Sequence, residues 1–347
     1  MRSTRAARRS AAAAPRPRGI AAANDTGVLI GHYTDSVGAT GCTVVLCPAG
    51  AVGGVAVRGG APCTRETDIF RPAAGVDPRR VHGVLLTGGS VFGLAACDGV
   101  VRYLNERDIG LHTGHAYVPI IGAAGLYDLA VGDAKARPDA EAGYAACADA
   151  RAGTIAEGAV GAGAGATVGK ALGIEWSTPG GLGIAAVRLS EGVTVQAVVA
   201  VNAFGEIVDP TTGVVVAGVR RPSGRGFRPI AELLDLGSDA PPPLSNTTIG
   251  VIATNAGLTV EEANDLASVG HDGIAQTVRP AHTRADGDTL FVLSTGNRPR
   301  RGLPMLDLIA LQHAAARAVA LAVLRAVRQR TRRAPLQRRR RSALRER

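Results

Sequence analysis

The chain has 347 residues, of which 46% are hydrophobic and only 3% aromatic, with 46 glycines and a formal net charge of +10. This composition predicts a tightly packed, turn-rich globular protein, long enough for one large domain or two. No apolar run approaches the roughly 20 residues that a membrane span needs, so we expect no membrane segment.

The positive charge lies at the two ends of the chain. Residues 1–18 carry six arginines and no acid, and residues 327–347 carry ten arginines and one glutamate. Subtracting these contributions of +6 and +9 from +10 leaves −5 for residues 19–326. We therefore predict disordered basic tails at 1–18 and 327–347 around a single domain at 19–326. Nucleic-acid binding is expected at most in the tails, because the body has no basic stripe with interleaved aromatics.

Apolar and alternating runs between the tails predict a mixed α/β domain. In chain order, strands are expected at 27–31, 42–47, 81–87, 117–121, 182–189, 193–202, 248–254 and 289–293, and helices at 91–105, 139–150, 259–278 and 306–327. The runs 182–189 and 193–202 flank a Ser-Glu-Gly turn, which is typical of an antiparallel hairpin. A polar, proline-rich segment at 218–245 is predicted as an exposed, flexible linker, the kind of segment where chains are cut.

The turn Gly88-Gly89-Ser90 lies between a predicted strand and a predicted helix. It matches only part of the Gly-x-Ser-x-Gly pattern of serine hydrolases, because Phe92 stands where the last glycine is required. We therefore predict that Ser90 is the helix N-cap. The main-chain N–H groups of this turn remain candidates for substrate binding.

A glycine-rich stretch at 158–173 ends near Lys170. The phosphate-loop motif fails here, because Ala164 and Ala171 stand where it needs a glycine and a hydroxyl residue. We infer close backbone packing instead of nucleotide binding. A lysine in such a tight setting is expected to be desolvated, which lowers its pKa.

The segment Ser245 to Gly250 leads from the predicted linker into a strand. We predict that the chain cuts itself between Asn246 and Thr247, so that Thr247 becomes a new N-terminus. A terminal threonine supplies a hydroxyl nucleophile and, in its amine, a base that titrates near neutral pH. The alternative is that Ser245-Asn246-Thr247 is only part of a loop before the strand.

The cysteines argue against a metal or disulfide framework. There are five of them, none in CxxC spacing: Cys42, Cys47, Cys63, Cys97 and Cys147. We expect buried free thiols in a reducing cytoplasm, and neither a metal nor a cofactor. His271 and His282 are not at ligand spacing with other candidates, so we interpret both as structural.

Several motifs together resemble one family. They are, in order, Arg65–Asp68, Thr87–Leu94, Gly161–Lys170, Asn246–Ile249 and His282–Asp288. The chain resembles the self-processing N-terminal-nucleophile hydrolases related to L-aminopeptidase/D-amidase/esterase, which include β-peptidyl aminopeptidases and endo-type 6-aminohexanoate-oligomer hydrolases. The resemblance covers roughly residues 27–300 and excludes both basic tails.

The resemblance implies a four-layer αββα sandwich with a largely antiparallel core, cleaved into two chains. It implies Thr247 as nucleophile, with Lys170 nearby, and a homo-oligomer of processed heterodimers. It further implies these roles: Asn202 and Tyr127 at the substrate carbonyl, and Asp286 and Asp288 behind the nucleophile. Asp286-Gly-Asp288 taken alone is more typical of a hairpin turn.

Three functions follow from these observations. The first is an amidase of aminopeptidase type, acting on small peptides, amino-acid amides or esters through an acyl-enzyme on Thr247. The second is an endo-acting hydrolase of oligoamides, which the sequence does not separate from the first. The third is a non-enzymatic scaffold that binds nucleic acid through its basic tails.

Overall fold

The computed structural model describes residues 25–72, 81–235, 246–298 and 304–331. The predicted N-terminal tail 1–18 lies outside these residues, as do 332–347 of the predicted C-terminal tail. The predicted cut site is included from Asn246 onward, with the peptide bond to Thr247 intact.

The order of elements is that of an α/β protein. The strands are β1 Leu29–Asp35, β2 Thr40–Val57, β3 Thr64–Arg65, β4 Val81–Thr87, β5 Leu111–His112, β6 Tyr117–Val118, β7 Ile121–Gly125, β8 Thr167–Val168, β9 Thr178–Pro179, β10 Gly181–Arg188, β11 Thr194–Asn202, β12 Glu206–Val208, β13 Val215–Ala217, β14 Val219–Arg220, β15 Phe227–Arg228, β16 Thr247–Ala256, β17 Val278–Arg279 and β18 Thr289–Arg298. The helices are α1 Ser90–Gly93, α2 Ala96–Asn105, α3 Ala140–Asp149, α4 Ile230–Asp235, α5 Val260–Thr277 and α6 Pro304–Thr331.

Strand β2 belongs to two sheets, because its two halves pair differently. Its first half pairs with β1 and β4, and its second half pairs with β18. One sheet therefore has the order β1-β2-β4-β7-β3, and the other has the order β10-β11-β16-β18-β2. Among the strands of the described ranges, only β4–β7 and β16–β18 are parallel pairs, so both sheets are largely antiparallel.

Three apolar layers hold the elements together. The layer between the sheets includes Val84, Leu86, Val251 and Phe291. A second layer packs β10, β11, β16 and β18 against α5 and α6, and a third packs β2 and β4 against α2 and α3. Two sheets face to face with helices on both outer faces form a four-layer αββα sandwich. The predicted architecture is confirmed.

Small residues permit unusually close packing between these layers. A Cβ on Gly183 of β10 would lie 2.0 Å from the Ala322 carbonyl oxygen in α6. A Cβ on Gly273 of α5 would lie 2.2 Å from the Ala316 carbonyl oxygen, also in α6. Backbones approach this closely only where a side chain is absent, which explains the high glycine and low aromatic content.

Two local predictions are wrong. The helix expected at 91–105 is divided into α1 and α2, because Leu94 and Ala95 keep helical dihedrals but donate their N–H groups three residues back, as in a 3-10 turn. The strand expected at 117–121 is two strands, β6 and β7. In contrast, the capping box between Thr259 and Glu262 opens α5 as expected.

The linker predicted at 218–245 is partly structured. It contains the hairpin β14–β15 and helix α4, whose Ile230 is buried and donates its N–H to the Glu206 carboxylate. Residues 236–245 lie outside the described part of the chain.

Helix α6 corrects two further predictions. It continues to Thr331, so the boundary expected at 326/327 lies inside it, and Val327 is buried. Its stretch Met305–Arg328 is long and apolar enough to cross a membrane, which contradicts the expectation that no apolar run reaches that length. Half of the most apolar window is buried in the core, where α6 packs on α5, β10 and β11. A core helix of this kind passes the same test of length and composition.

Candidate active site

The predicted cut site lies at the buried start of a central strand. Thr247 opens β16, which runs between β11 and β18, and Asn246 forms a parallel bridge with Asp286. Asn246 is 2% exposed and Thr247 is 5% exposed. The Asn246–Thr247 peptide is therefore held rigidly in the fold, which is the condition for an intramolecular reaction.

The Asn246 carbonyl oxygen accepts two hydrogen bonds. One comes from the hydroxyl of Thr247, and the other from the N–H of Gly287 at 3.0 Å. A Cβ on Gly287 would lie 3.0 Å from Thr247 Oγ1 and 2.7 Å from the Ala61 carbonyl oxygen. Gly287 therefore polarises this carbonyl and, because it has no side chain, leaves room for that of Thr247. The segment 286–288, expected as a hairpin turn, bonds to the residues around the start of β16.

Lys170 and Asn202 lie directly across the sheet from the cut site. Asn202 is the register partner of Thr247 on β11. The Lys170 ammonium donates to both the main-chain oxygen and Oδ1 of Asn202, each at 2.9 Å, and the Thr167 N–H donates to the same Oδ1 at 3.0 Å. The glycine-rich stretch thus places Lys170 against Asn202, the register partner of Thr247.

The Lys170 side chain is 2% exposed, and burial lowers its pKa to about 7. The negative charges of Asp286 and Asp128 oppose that shift. Burial disfavours the ammonium because the low-dielectric interior solvates a charge poorly. Lys170 therefore changes its charge close to neutral pH.

This buried lysine predicts a pH-dependent stability. Its folded-state pKa lies below the unfolded value, so between about pH 7 and pH 10.4 the unfolded chain binds the extra proton and the free energy of unfolding rises with pH. The slope from this group approaches about 1.4 kcal/mol per pH unit in the middle of that range. Urea denaturation of the uncut Thr247→Ala protein from pH 6 to 10, compared with Thr247→Ala/Lys170→Met, measures it. An unchanged slope in the double variant would contradict the assignment.

Asp286 and Asp288 occupy different positions. Asp286 accepts from the N–H of Thr283 at 2.8 Å and from its hydroxyl at 2.5 Å, and burial, together with the charge of Asp288, raises its pKa. Asp288 accepts from the N–H of Thr248 at 2.6 Å and from His282. Asp288 therefore holds the residue after Thr247, whereas Asp286 is the member of the pair that acts on Lys170.

Tyr127 contacts this cluster through its main chain. Its carbonyl oxygen accepts from Nδ2 of Asn202 at 3.0 Å, and its side chain is half-buried. This bond fixes the orientation of the Asn202 carboxamide, with Oδ1 turned toward Lys170. The role expected for the Tyr127 hydroxyl stays a prediction.

The turn Gly88-Gly89-Ser90 corrects two expectations. Its N–H groups donate to protein acceptors: Gly88 to the Gly41 oxygen, Gly89 to Asp128 Oδ1 and Ser90 to the Leu126 oxygen. The expectation that they face a substrate is therefore wrong. Ser90 is also not the N-cap, since Gly89 takes that position with a left-handed φ of 76°.

Asp128 is a site residue that the sequence reasoning missed. It is 3% exposed, it accepts from Gly89 and from the Thr40 hydroxyl at 2.7 Å, and burial raises its pKa. A Cβ on Gly88 would lie 2.2 Å from its Oδ2. The turn therefore wraps a carboxylate that acts electrostatically on Lys170. The sequence signal that could have identified Asp128 is an acidic residue directly after Tyr127 in an apolar run.

The thiols and histidines supply no metal centre within the described ranges. No group of three or more His, Cys, Asp or Glu side chains is placed there to hold a metal ion. All five cysteines are free, and four are buried, as expected; Cys63 is half-buried.

The chain is similar to known proteins over most of its length. The model of peptidase family S58 matches residues 24–339. An uncharacterized aminopeptidase of Mycobacterium leprae is 43% identical over 336 residues, covering 86% of this chain and 88% of the relative. A 6-aminohexanoate-oligomer endohydrolase of Kocuria sp. is 34% identical over 276 residues, covering 78% and 73%.

Two solved structures share the fold. A β-aminopeptidase of Burkholderia sp. superposes with a TM-score of 0.61 at 24% identity, covering 89% of this chain and 87% of its own. The L-aminopeptidase D-Ala-esterase/amidase of Ochrobactrum anthropi, described as a variant of the Ntn hydrolase fold, gives 0.64 at 20% identity, covering 89% and 88%.

Proposed function

The chain belongs to peptidase family S58 and is a hydrolase of peptide or amide bonds, and from that premise we propose that it cuts itself between Asn246 and Thr247 and then uses Thr247 as its nucleophile. The observation that carries this proposal is the Thr247 hydroxyl bonded to the Asn246 carbonyl group, which the Gly287 N–H polarises. A nucleophile against a polarised carbonyl in a buried, rigid strand is the arrangement that acyl transfer requires.

The proposed self-cleavage begins with attack of Thr247 Oγ1 on the Asn246 carbonyl carbon. The hydroxyl loses its proton, the carbonyl oxygen becomes an oxyanion, and Gly287 N–H donates to it. The C–N bond then breaks, the Thr247 nitrogen takes a proton, and an ester joins Asn246 to the threonine oxygen. Water hydrolyses that ester, which leaves a carboxylate on Asn246 and a free amine on Thr247.

The proposed turnover repeats this chemistry on an external substrate. The freed amine accepts the hydroxyl proton, and the oxygen attacks a substrate amide or ester to form an acyl-enzyme that water resolves. Lys170 in its charged form favours the neutral amine and stabilises the attacking oxygen. Asn202 and Tyr127 are the proposed donors to the substrate oxyanion, and Asp286 orients Lys170.

We propose small peptides and amino-acid amides or esters as substrates, since relatives at 43% identity are named aminopeptidases. An oligoamide endohydrolase is the second candidate, because the relatives at 34% identity carry that name. Assays of amino-acid p-nitroanilides against linear and cyclic aminohexanoate oligomers distinguish the two. Release of p-nitroaniline alone would support the first, and oligomer cleavage alone would support the second.

The test of self-processing is the intact mass of the purified protein under denaturing conditions. We expect two chains of 246 and 101 residues, the shorter beginning at Thr247. A single 347-residue chain after long incubation would overturn the proposal and favour the non-enzymatic scaffold. The homo-oligomer and the cytoplasmic location stay predictions; light scattering on the processed protein tests the first.

A further inference from the structure

Three polar side chains, of which two are buried and His282 is half-buried, form a row behind the strand that begins at Thr247. Asp288 is 2% exposed, and its Oδ2 lies 2.7 Å from Nδ1 of His282. The His282 ring meets the ring of His271 edge to face, with centroids 4.8 Å apart, and His271 Nε2 lies 3.0 Å from the Ala56 oxygen. The row therefore runs from the nucleophile strand to β2.

His282 is bound to Asp288 by its main chain as well as by its ring. Its N–H donates to the same Oδ2 at 3.1 Å. Its φ is 58°, a left-handed conformation that non-glycine residues adopt only where the surroundings hold them. The other carboxylate oxygen, Oδ1, accepts from the Thr248 N–H. One carboxylate thus connects a strained histidine to the residue that follows the nucleophile.

The charges around this row act differently on the two histidines and favour the protonated form of His282. Burial lowers the pKa of His282, but the hydrogen bond and charge of Asp288, helped by the His271 main chain, outweigh it and leave the pKa above its usual value, although Arg58 opposes them. Burial lowers the pKa of His271 to about 4, so His271 is neutral. Of the two rings, His282 is therefore the one whose surroundings favour the protonated form, because its Nδ1 contacts the Asp288 carboxylate.

The contact with His282 gives Asp288 different partners from those of the neighbouring Asp286. Asp286 and Asp288 are two residues apart and both buried, and the charge of Asp288 acts on Asp286. Two buried carboxylates in one site repel each other unless each has its own partner. Asp288 is paired with His282, whereas Asp286 accepts a hydrogen bond from Thr283 and lies near the charge of Lys170.

We propose that His282 is a positioning residue for the nucleophile, and the proposal rests on the self-processing function proposed above. Its ring and its main-chain N–H both contact Asp288 Oδ2, which fixes that carboxylate against the Thr248 N–H and so holds Thr247 against the Asn246 carbonyl. Asp286 is compensated by Lys170, whose charge also acts on Asp128. The sequence alone predicts a structural role for His282, and the positioning role goes beyond that prediction.

The test uses two substitutions that separate the hydrogen bond from the charge. In His282→Asn, the amide nitrogen takes the place of Nδ1 and asparagine tolerates the left-handed φ, so the donor remains and the charge is lost. In His282→Ala, both are lost. The matched control is His271→Gln, a change in the adjacent buried ring that does not touch Asp288.

Self-cleavage is followed by intact mass from pH 5 to 9 on freshly translated full-length chains. We expect His282→Ala to be about 10²-fold slower, because a small displacement of a reacting group has an effect of that size. Below the His282 pKa, His282→Asn should cut more slowly than the wild type. The part of the fall in cleavage rate at high pH that deprotonation of His282 causes should be absent from this variant. His271→Gln should keep the wild-type pH profile.

Two further readouts make the inference independent of turnover. In His282→Ala/Asp288→Asn, cleavage should be no slower than in Asp288→Asn alone, because the histidine acts through that carboxylate. In the uncut Thr247→Ala protein, His282→Ala should accelerate hydrogen exchange at the Thr248 N–H.

The outcomes distinguish this inference from the proposed function. If the wild type cuts, and His282→Ala cuts as fast with the same pH profile, the positioning role is overturned while self-processing stands. If the wild type does not cut, self-processing fails, and an unchanged Thr248 exchange rate would then overturn the positioning role separately.

Discussion

Thr247→Ala is expected to yield a single uncut chain of 347 residues without hydrolase activity. The substitution removes the hydroxyl that donates to the Asn246 carbonyl oxygen, and alanine has no atom that can attack this carbonyl. It also prevents release of the amine that would act as base. Removing the nucleophile of a hydrolase that works as a unit lowers the rate on the order of 10⁵-fold or more.

Thr247→Ser is the matched control for this loss. It keeps the hydroxyl and removes only a methyl group from a side chain that is 5% exposed. We expect both self-cleavage and turnover to persist at reduced rates, because the hydroxyl loses the packing that limits its rotation. Intact mass, amide hydrolysis and thermal unfolding of both variants give the comparison. A folded Thr247→Ala protein that still cuts at 246/247 would remove Thr247 from the mechanism.

The four-layer fold could be predicted because its signals lie in local sequence and in ordered motifs. The strand Val81–Thr87 has the predicted bounds, and the hairpin 182–202 and the capping box at Thr259 appear where the residues indicate. The double membership of β2 could not be predicted. Its pairing changes across an irregularity that contains Gly50, with φ 80°, and only the partner strands decide that.

The candidate site likewise contains residues that the sequence predicts and groups that only the fold reveals. Thr247, Lys170, Asn202, Asp286 and Asp288 could be named from residue type and motif, and the structure brings them together. Two groups that were missed act through contacts that sequence order hides. Gly287 contributes a main-chain N–H, and Asp128 contributes charge from behind a glycine turn.

The charged groups of the site are stabilised by one another rather than by water. The charges of Asp286 and Asp128 act on Lys170, and the Asp288 carboxylate contacts Nδ1 of the half-buried His282. Lys170 and the three acids are buried, so none of them is screened by salt to the extent that a surface ion pair is. Removing one member leaves its partner buried without compensation, which is more damaging than the loss of the interaction itself.

Lys170→Met is the second substitution with a large expected effect. Methionine fills a similar volume, but it has no charge and donates no hydrogen bond to Asn202, whose two oxygens both accept from Lys170. The Asn202 carboxamide is then held only by Thr167 and Tyr127, and Asp286 loses its compensating charge. We expect self-cleavage and turnover to fall by about 10³-fold, the upper range for a preorganised electrostatic group.

Lys170→Arg separates the charge of the lysine from its titration. The guanidinium stays protonated at all accessible pH values, whereas the pKa of Lys170 is about 7. If the cation alone is needed, Lys170→Arg should retain part of the cleavage rate and lose the decline above neutral pH. If proton transfer is needed, it should be as inactive as Lys170→Met. Time courses of intact mass from pH 5 to 9 for both variants decide this, and a Lys170→Met protein that cuts as fast as wild type would exclude Lys170 from the reaction.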